Sequence, residues 1–183
     1  SAGADFTFVP HSKSVGGIIV NPASNIASLK DLAGKKIGIA GGPVDKSWVI
    51  LQAYANSVHS LNVKDDVELV FGAPPLINEK LMSGELDAVL NFWHYNARLK
   101  SAGMIELHSV ADMLDEMGLT SNSPLLGWAF SEKWASENEN LIKSFLDSSY
   151  ETKSMLLNDM NAWENLKAKM KADKDNNLFV NLS

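Results

Sequence analysis

The sequence predicts an α/β fold, a parallel sheet with helices on its faces. Three observations carry that prediction. The short apolar runs "KKIGIA", "VELVFG" and "DAVLNF" alternate with segments whose apolar residues recur at helical spacing, giving strand, helix, strand, helix, strand over 35–92. The first and last of these runs are too continuously apolar to leave one face in water, as expected of parallel strands covered on both sides. Glycine or proline punctuates the junctions between them.

Taken in order, "FTFVP" (6–10) reads as a short strand ending at a proline, and "VGGIIV" (15–20) as a second apolar run. Gly16 and Gly17 in that run allow either unusual backbone angles or close approach of a neighbour. "NPASNI" is a turn-rich connector. "SLKDLAG" is a short helix, with Ser28 as N-cap, Asp31 in the capping-box position and Gly34 as the stop. After the strand "KKIGIA", a helix runs from Asp45 or Lys46 to about Val58, its apolar face marked by Trp48, Leu51, Ala55 and Val58. "VELVFG" (67–72) is the next strand. "PPLINEKLMSGEL" is a helix opened by Pro74 or Pro75, with Ile77 and Leu81 on one face and Gly84 at its end. "DAVLNF" (87–92) closes the series.

The second half changes character. "VADMLDEMGL" is a short helix, and "SNSPLLGWAF" leads a loop into a strand at 125–130. Ser131 can cap a helix beyond that strand. Leu141, Phe145, Ser149, Thr152 and Leu156 trace one face of a long amphipathic helix starting near Glu139. Trp163, Leu166 and Met170 mark another through "NAWENLKAKMK", and "DNNLFVNLS" carries no strong cap or stop.

Composition narrows the function classes. The chain has 183 residues, 45% hydrophobic and 21% charged, as in ordinary globular proteins. Sixteen Lys and Arg against 22 Asp and Glu give a net charge of -6, which disfavours nucleic acid as a partner. No apolar run approaches the roughly 20 residues that span a bilayer, so direct membrane insertion is not expected. The opening "SAGADFTFV" shows neither the basic start nor the apolar run of an export signal. With no cysteine, this sequence offers no disulfide, thiolate metal ligand or thiol nucleophile. His11, His59, His94 and His108 are scattered, without HxxxH or HExxH spacing, and no GxSxG elbow occurs. Asp65 with Asp66 and Asp112 with Asp115 lie in polar stretches and read as solvated faces. No catalytic residue, metal site or cofactor is expected; binding without chemistry fits better.

"GKKIGIAGGPVDKSW" (34–48) shows where binding would occur. In parallel α/β sheets ligands sit beyond the carboxyl ends of strands, where helices begin with unpaired N–H groups and partial positive charge. A carboxylate, sulfonate or phosphate suits such a place. Gly41 and Gly42 permit close backbone approach, Ser47 offers a hydroxyl, and Lys46 adds charge if it turns inward. The alternative is a simple tight turn with Asp45 capping the helix. Neither GxxxxGK[ST] nor GxGxxG is present. "FGAPPL", with Gly72, and "NFWHYNARLK" follow the next two strands, so all three junctions fall on one rim. Asn91, Trp93, His94 and Tyr95 there combine amide, indole, imidazole and phenol, although Trp93 could be core and His94 a surface histidine. The candidate ligand-binding set is Gly41, Gly42, Asp45, Lys46, Ser47, Trp48, Gly72, Asn91, Trp93 and His94.

Three longer stretches, "SVGGIIVNPASNIASLKDLAGKKIGIAGGP", "PPLINEKLMSGELDAVLNFWHYNARL" and "LLGWAFSEKWASENENLIKSFLDSSYETKSML", resemble solute-binding proteins of ABC importers of the nitrate/sulfonate/taurine type. That group shares its fold with thiamine-pyrimidine synthases. The resemblance spans roughly 5–157 and is most specific in "SLKDLAGKKIGI" and "SGELDAV". It implies a type II periplasmic-binding fold, in which two α/β lobes joined by crossing strands close on a ligand. The second lobe would occupy 24–118, inserted between 1–23 and 119–183, with "GGIIV" and "LLGWAF" as crossing segments and Gly16, Gly17 and Gly127 as hinge points. It also implies a periplasmic or otherwise extracytoplasmic protein that hands a small polar or anionic organic ligand to a membrane permease. Family members begin with a signal peptide and a strand–helix–strand portion of the first lobe. This sequence is expected to start where that portion ends and to stop within a helix, as a fragment or the ordered remainder of a longer chain. Two alternatives share the fold: an enzyme resembling the pyrimidine synthases or a menaquinone-pathway lyase, with His94 as its leading residue, and a ligand-sensing lobe of a regulator. The synthases' cysteine-rich motif is absent.

Overall fold

The structure, a computed structural model, describes residues 5–183. The chain forms two compact units. One comprises Lys13–Ser123 with Leu182; the other joins the chain up to Ser12 to Pro124–Asn181 and Ser183.

The larger unit holds five strands: β2 (Gly16–Val20), β3 (Lys36–Ala40), β4 (Glu68–Gly72), β5 (Ala88–Phe92) and β6 (Ile105–Ser109), following β1 (Thr7–Ser12) of the other unit. Their order across the sheet is β4-β3-β5-β2-β6. β3 runs parallel to β4 and β5, while β2 lies antiparallel between β5 and β6. The sheet is therefore mixed, not wholly parallel, and β6 is an edge strand absent from the sequence reading. Its residues alternate, Ile105 and Leu107 against Glu106 and His108, and only one edge is paired, so its apolar signal is weak.

Alternation along the inner strands sorts side chains to two cores. Ile18 and Val20, Ile37 and Ile39, and Ala88 and Leu90 share one cluster with Trp48, Leu51, Tyr54 and Ala55 of α1 (Lys46–His59). Met113 of α5 (Val110–Glu116) completes that cluster. Ile19, Ala40 and Val89 share the other with Ile77 and Leu81 of α3 (Pro74–Met82) and Leu99 of α4 (Trp93–Ser101). A short α2 (Val63–Asp66) precedes β4. "SLKDLAG" forms a single 3-10 turn, Leu29–Leu32. Its Asp31 carboxylate accepts the Ser28 backbone N–H at 2.8 Å, as the capping-box position requires.

In the smaller unit β1 pairs antiparallel with β7 (Leu126–Phe130). α6 (Glu132–Glu137) opens on the Ser131 cap, and α7 (Glu139–Asn158) comes next. Phe145 of α7 meets the rings of Trp128 at 5.0 Å and Phe130 at 5.9 Å, edge to face. The Trp128 indole N–H donates to Ser149 Oγ at 3.3 Å. The helix expected through Met170 is only α8 (Met160–Glu164), followed by turns; Lys171 has a φ of +55°. A final helix, α9 (Asn176–Leu182), is capped by Asp175, whose carboxylate accepts the Leu178 N–H at 2.9 Å. "DNNL" therefore holds a cap where none was expected.

The unit boundaries fall near 12 and 123 rather than at 24 and 118, because β2 is hydrogen-bonded on both edges inside the five-stranded sheet. The glycines expected as hinges sit within paired strands. Gly16 has a φ of +136°, and a Cβ there would lie 2.0 Å from the Asn91 carbonyl oxygen. A Cβ on Gly127 would stand 2.3 Å from the Phe8 ring. Close packing is by itself a reason for glycine at both positions. Gly16→Ala combines a left-handed φ with an immovable backbone clash and is expected to lower stability by about 2–4 kcal/mol, read as the shift in urea midpoint at constant slope. A stability loss below about 0.5 kcal/mol would show that the residue's role lies elsewhere.

Candidate functional site

Strand register shows which loops share an end of the sheet. Ala40 lies beside Gly72, Gly16 beside Phe92, and Gly17 beside Ser109. The junctions after β3, β4, β5 and β6 and the segment entering β2 thus form one rim. Its helix N-termini differ in how their first N–H groups are satisfied.

At α1 the Asp45 carboxylate accepts the N–H groups of Ser47 at 2.9 Å and Trp48 at 3.2 Å. This helix end is closed by its own anion, the simpler of the two readings of "GGPVDKSW". Gly41, at a φ of +82°, donates its N–H to the Gly72 carbonyl at 3.2 Å, so these two loops are tied to each other. The Asp45 N–H goes to the Gly42 carbonyl at 3.0 Å. Lys46 is exposed. Trp48 is buried core, meeting the Phe71 ring edge to face at 6.4 Å. Ser47 is 2% exposed, and its Oγ has no hydrogen-bond partner among the described residues.

α5 carries a complete capping box, with the Ser109 N–H donating to Asp112 at 3.0 Å and the Asp112 N–H donating to Ser109 Oγ at 3.0 Å. α3 begins with Pro74 and Pro75, which have no N–H to offer. α4 is different. It follows β5 with no intervening loop, its N-cap is Phe92, and no side chain caps it. The Trp93 N–H donates to the Val15 carbonyl at 3.2 Å, leaving His94 and Tyr95 as the first-turn donors. Trp93 thus opens a helix directly after the strand.

Around this helix end most buried polar atoms are held, although Asn96 Oδ1 has no hydrogen-bond partner among the described residues. Asn91 is 1% exposed; its Nδ2 donates to the Pro74 carbonyl at 3.0 Å and Asn78 Oδ1 at 2.8 Å, while its Oδ1 accepts the Phe92 N–H at 2.8 Å. Asn96 donates to the Gly17 carbonyl at 3.0 Å. Trp93 is 40% exposed, so it is not core. His94 is half-buried against the rings of Trp93 at 5.5 Å and Tyr95 at 4.5 Å. Burial, and then the Arg98 charge one turn on, hold the His94 imidazolium below its ordinary 6.5. Both effects favour the uncharged ring.

Asn78 and Asn96 escaped the sequence reading, although an asparagine between Ile77 and Leu81 on a helix's apolar face was a visible anomaly. Among the described residues no three His, Asp or Glu side chains gather as a metal site, and no helix is long and apolar enough to cross a membrane. A separate open cleft of about 530 Å³ in the smaller unit is lined by Glu132, Glu139, Ile142, Leu146 and Asp147. Its Lys143 is already paired with Asp147 at 2.7 Å, so the cleft is poorly suited to an anion.

A sequence profile described as NMT1/THI5 like matches residues 9–159. The chain belongs to the NMT1/THI5 like family. Among solved structures, the periplasmic aliphatic sulphonate binding protein SsuA from Escherichia coli superposes with a TM-score of 0.74 at 20% identity, over 99% of this chain and 60% of that one. The alkanesulfonate-binding protein SsuA from Xanthomonas axonopodis pv. citri, bound to MOPS, gives 0.71 at 17% identity, over 93% and 56%. A mutant of DSZB in complex with biphenyl-2-sulfinic acid gives 0.52 at 17% identity, over 92% and 60%. No curated protein sequence matches significantly. The fold of this NMT1/THI5 like chain is therefore of the type II periplasmic-binding class, and the chain spans about 60% of the length of these structures.

The depressed His94 pKa has a signed consequence for this family member. Below 6.5 the unfolded chain takes up a proton that the folded chain resists, so the imidazole's contribution is complete above 6.5 and is lost as pH falls toward the folded-state value. A ¹H NMR titration is expected to place the His94 midpoint below 6.5, with His94→Gln flattening the loss of stability as pH falls below 6.5. A midpoint above 6.5 would contradict the burial argument.

Proposed function

We propose that this chain belongs to an extracytoplasmic solute-binding protein of an ABC import system, which takes a small polar or anionic organic solute at the rim of the five-stranded sheet and delivers it to a membrane permease. The observation that carries the reading is the first turn of α4. Its His94 and Tyr95 N–H groups stand at the carboxyl end of β5 without a side-chain cap, beside the exposed Trp93 ring. A helix N-terminus without its own anion stabilises an added one by about 0.3–2 kcal/mol. The indole supplies an apolar surface for the solute's organic part. Support comes from the family match and from relatives of the same fold that are named for aliphatic sulphonate and alkanesulfonate binding.

In this reading the α1 end contributes less than "GGPVDKSW" suggests. The Asp45 carboxylate repels an anion there, so Gly41, Gly42, Ser47, Trp48 and Gly72 form the frame, and Lys46 is an exposed cation on the same rim. Asn91 holds the rim rather than the solute, since both its amide hydrogens are spent. A second reading, an enzyme on this fold, draws on the match to DSZB, with the uncharged His94 imidazole as its proton acceptor.

Titration calorimetry on the intact protein with MOPS, short alkanesulfonates, sulfate and nitrate tests both readings. An organic anion is expected to bind more tightly than the inorganic ones, and Trp93→Ala and Lys46→Ala each to weaken it about tenfold, or about 1.4 kcal/mol. Unchanged affinity in both variants would remove the rim from the binding surface. Product release that is lost in His94→Ala would favour the enzyme.

A further inference from the structure

We infer that Asn78 is a positioning residue for this rim, setting where the first turn of α4 stands relative to α3 and β5; the inference rests on the proposed solute-binding reading. Asn78 is 5% exposed on α3, flanked on that helix by the fully buried Ile77 and Leu81. An amide in such surroundings is costly unless it is hydrogen-bonded. Both its ends are used. Oδ1 accepts the Asn91 amide at 2.8 Å, and Nδ2 donates to the Tyr95 carbonyl at 3.0 Å.

The Tyr95 carbonyl belongs to the turn whose N–H groups face outward from the rim. The path Pro74–Asn91–Asn78–Tyr95 therefore links the start of α3, the end of β5 and the start of α4, two side-chain amides bridging two backbone carbonyls. Two further ties hold the same turn: the Trp93 N–H on the Val15 carbonyl, and the Asn96 amide on the Gly17 carbonyl. An aliphatic residue would fill the same space between α3 and α4, where Ile77, Leu81, Leu86 and Leu99 already pack. What it would not do is fix the turn's height and angle. Donors that receive a ligand gain from being held before it arrives, because ordering them then costs nothing on binding.

Asn78→Leu removes both bonds and puts an aliphatic group in their place, and Asn78→Ser, which replaces the amide by a shorter hydroxyl, is the second variant if the leucine variant does not fold. On the intact protein three readouts are taken: MOPS affinity by calorimetry, melting temperature, and the ¹H–¹⁵N amide positions of residues 93–95 without ligand. The expected result is shifted amides for Trp93, His94 and Tyr95, affinity lowered about tenfold, and a melting temperature lowered by several degrees, since Asn91 Nδ2 loses a buried partner. Unshifted amides overturn the inference, as does unchanged affinity in a wild-type background that binds MOPS. If the wild type binds none of the organic anions while the amides still shift in Asn78→Leu, the tie stands and the solute-binding reading fails instead.

Discussion

In the larger unit, β3, β5 and β2 are hydrogen-bonded on both edges and packed on both faces, by α1 and α5 on one side and α3 and α4 on the other. A strand in that position has no side on which to carry a polar group, so between its ends each one is written in Ile, Val, Leu, Ala and Gly, with Lys36 confined to the first position of β3. Polar chemistry is displaced to the rim, where chain leaves sheet for helix. Asn91 marks the transition: Val89 lies in the α3/α4 core, and two residues on, on the same face of β5, an amide replaces the aliphatic group. That amide survives burial only because α3 and the start of α4 supply its partners.

From this constraint the electrostatics of the rim follow. Helices packed against strands that point at one rim present their N-termini there, and each partial positive charge must be met. α1 meets it with Asp45, α5 with Ser109 and Asp112, and α3 begins with prolines that have fewer donors to satisfy. α4 alone of these lacks both devices. It compensates through backbone and amide ties from Val15, Asn78 and Gly17, which fix the turn without neutralising it. An end that is held but uncapped is suited to a mobile anion.

How much of this the sequence disclosed depended on whether a residue signals locally. The alternation from β3 to β5, the capping box at Ser28 and Asp31, the proline start of α3 and the onset of α7 near Glu139 all have local causes, and all were readable. β6 was not, because an edge strand with one covered face writes half a pattern. α4 was hidden because Phe92 gives no cap signal and "NFWHYNARLK" carries few aliphatic residues at helical spacing. The choice between Asp45 as cap and Asp45 as part of an anion site turns on two hydrogen bonds that no spacing reveals. Asn78 is the same case: its meaning lies in Asn91 and Tyr95, distant in sequence and adjacent in the fold.

The account therefore rests on which helix end is open. Amide hydrogen exchange on the intact protein, with and without MOPS, reads that directly at single residues. Slowed exchange at His94 and Tyr95, with Ser47 and Trp48 unaltered behind the Asp45 carboxylate, is the result the account predicts. Protection appearing at Ser47 and Trp48 while His94 and Tyr95 stay unchanged would contradict it.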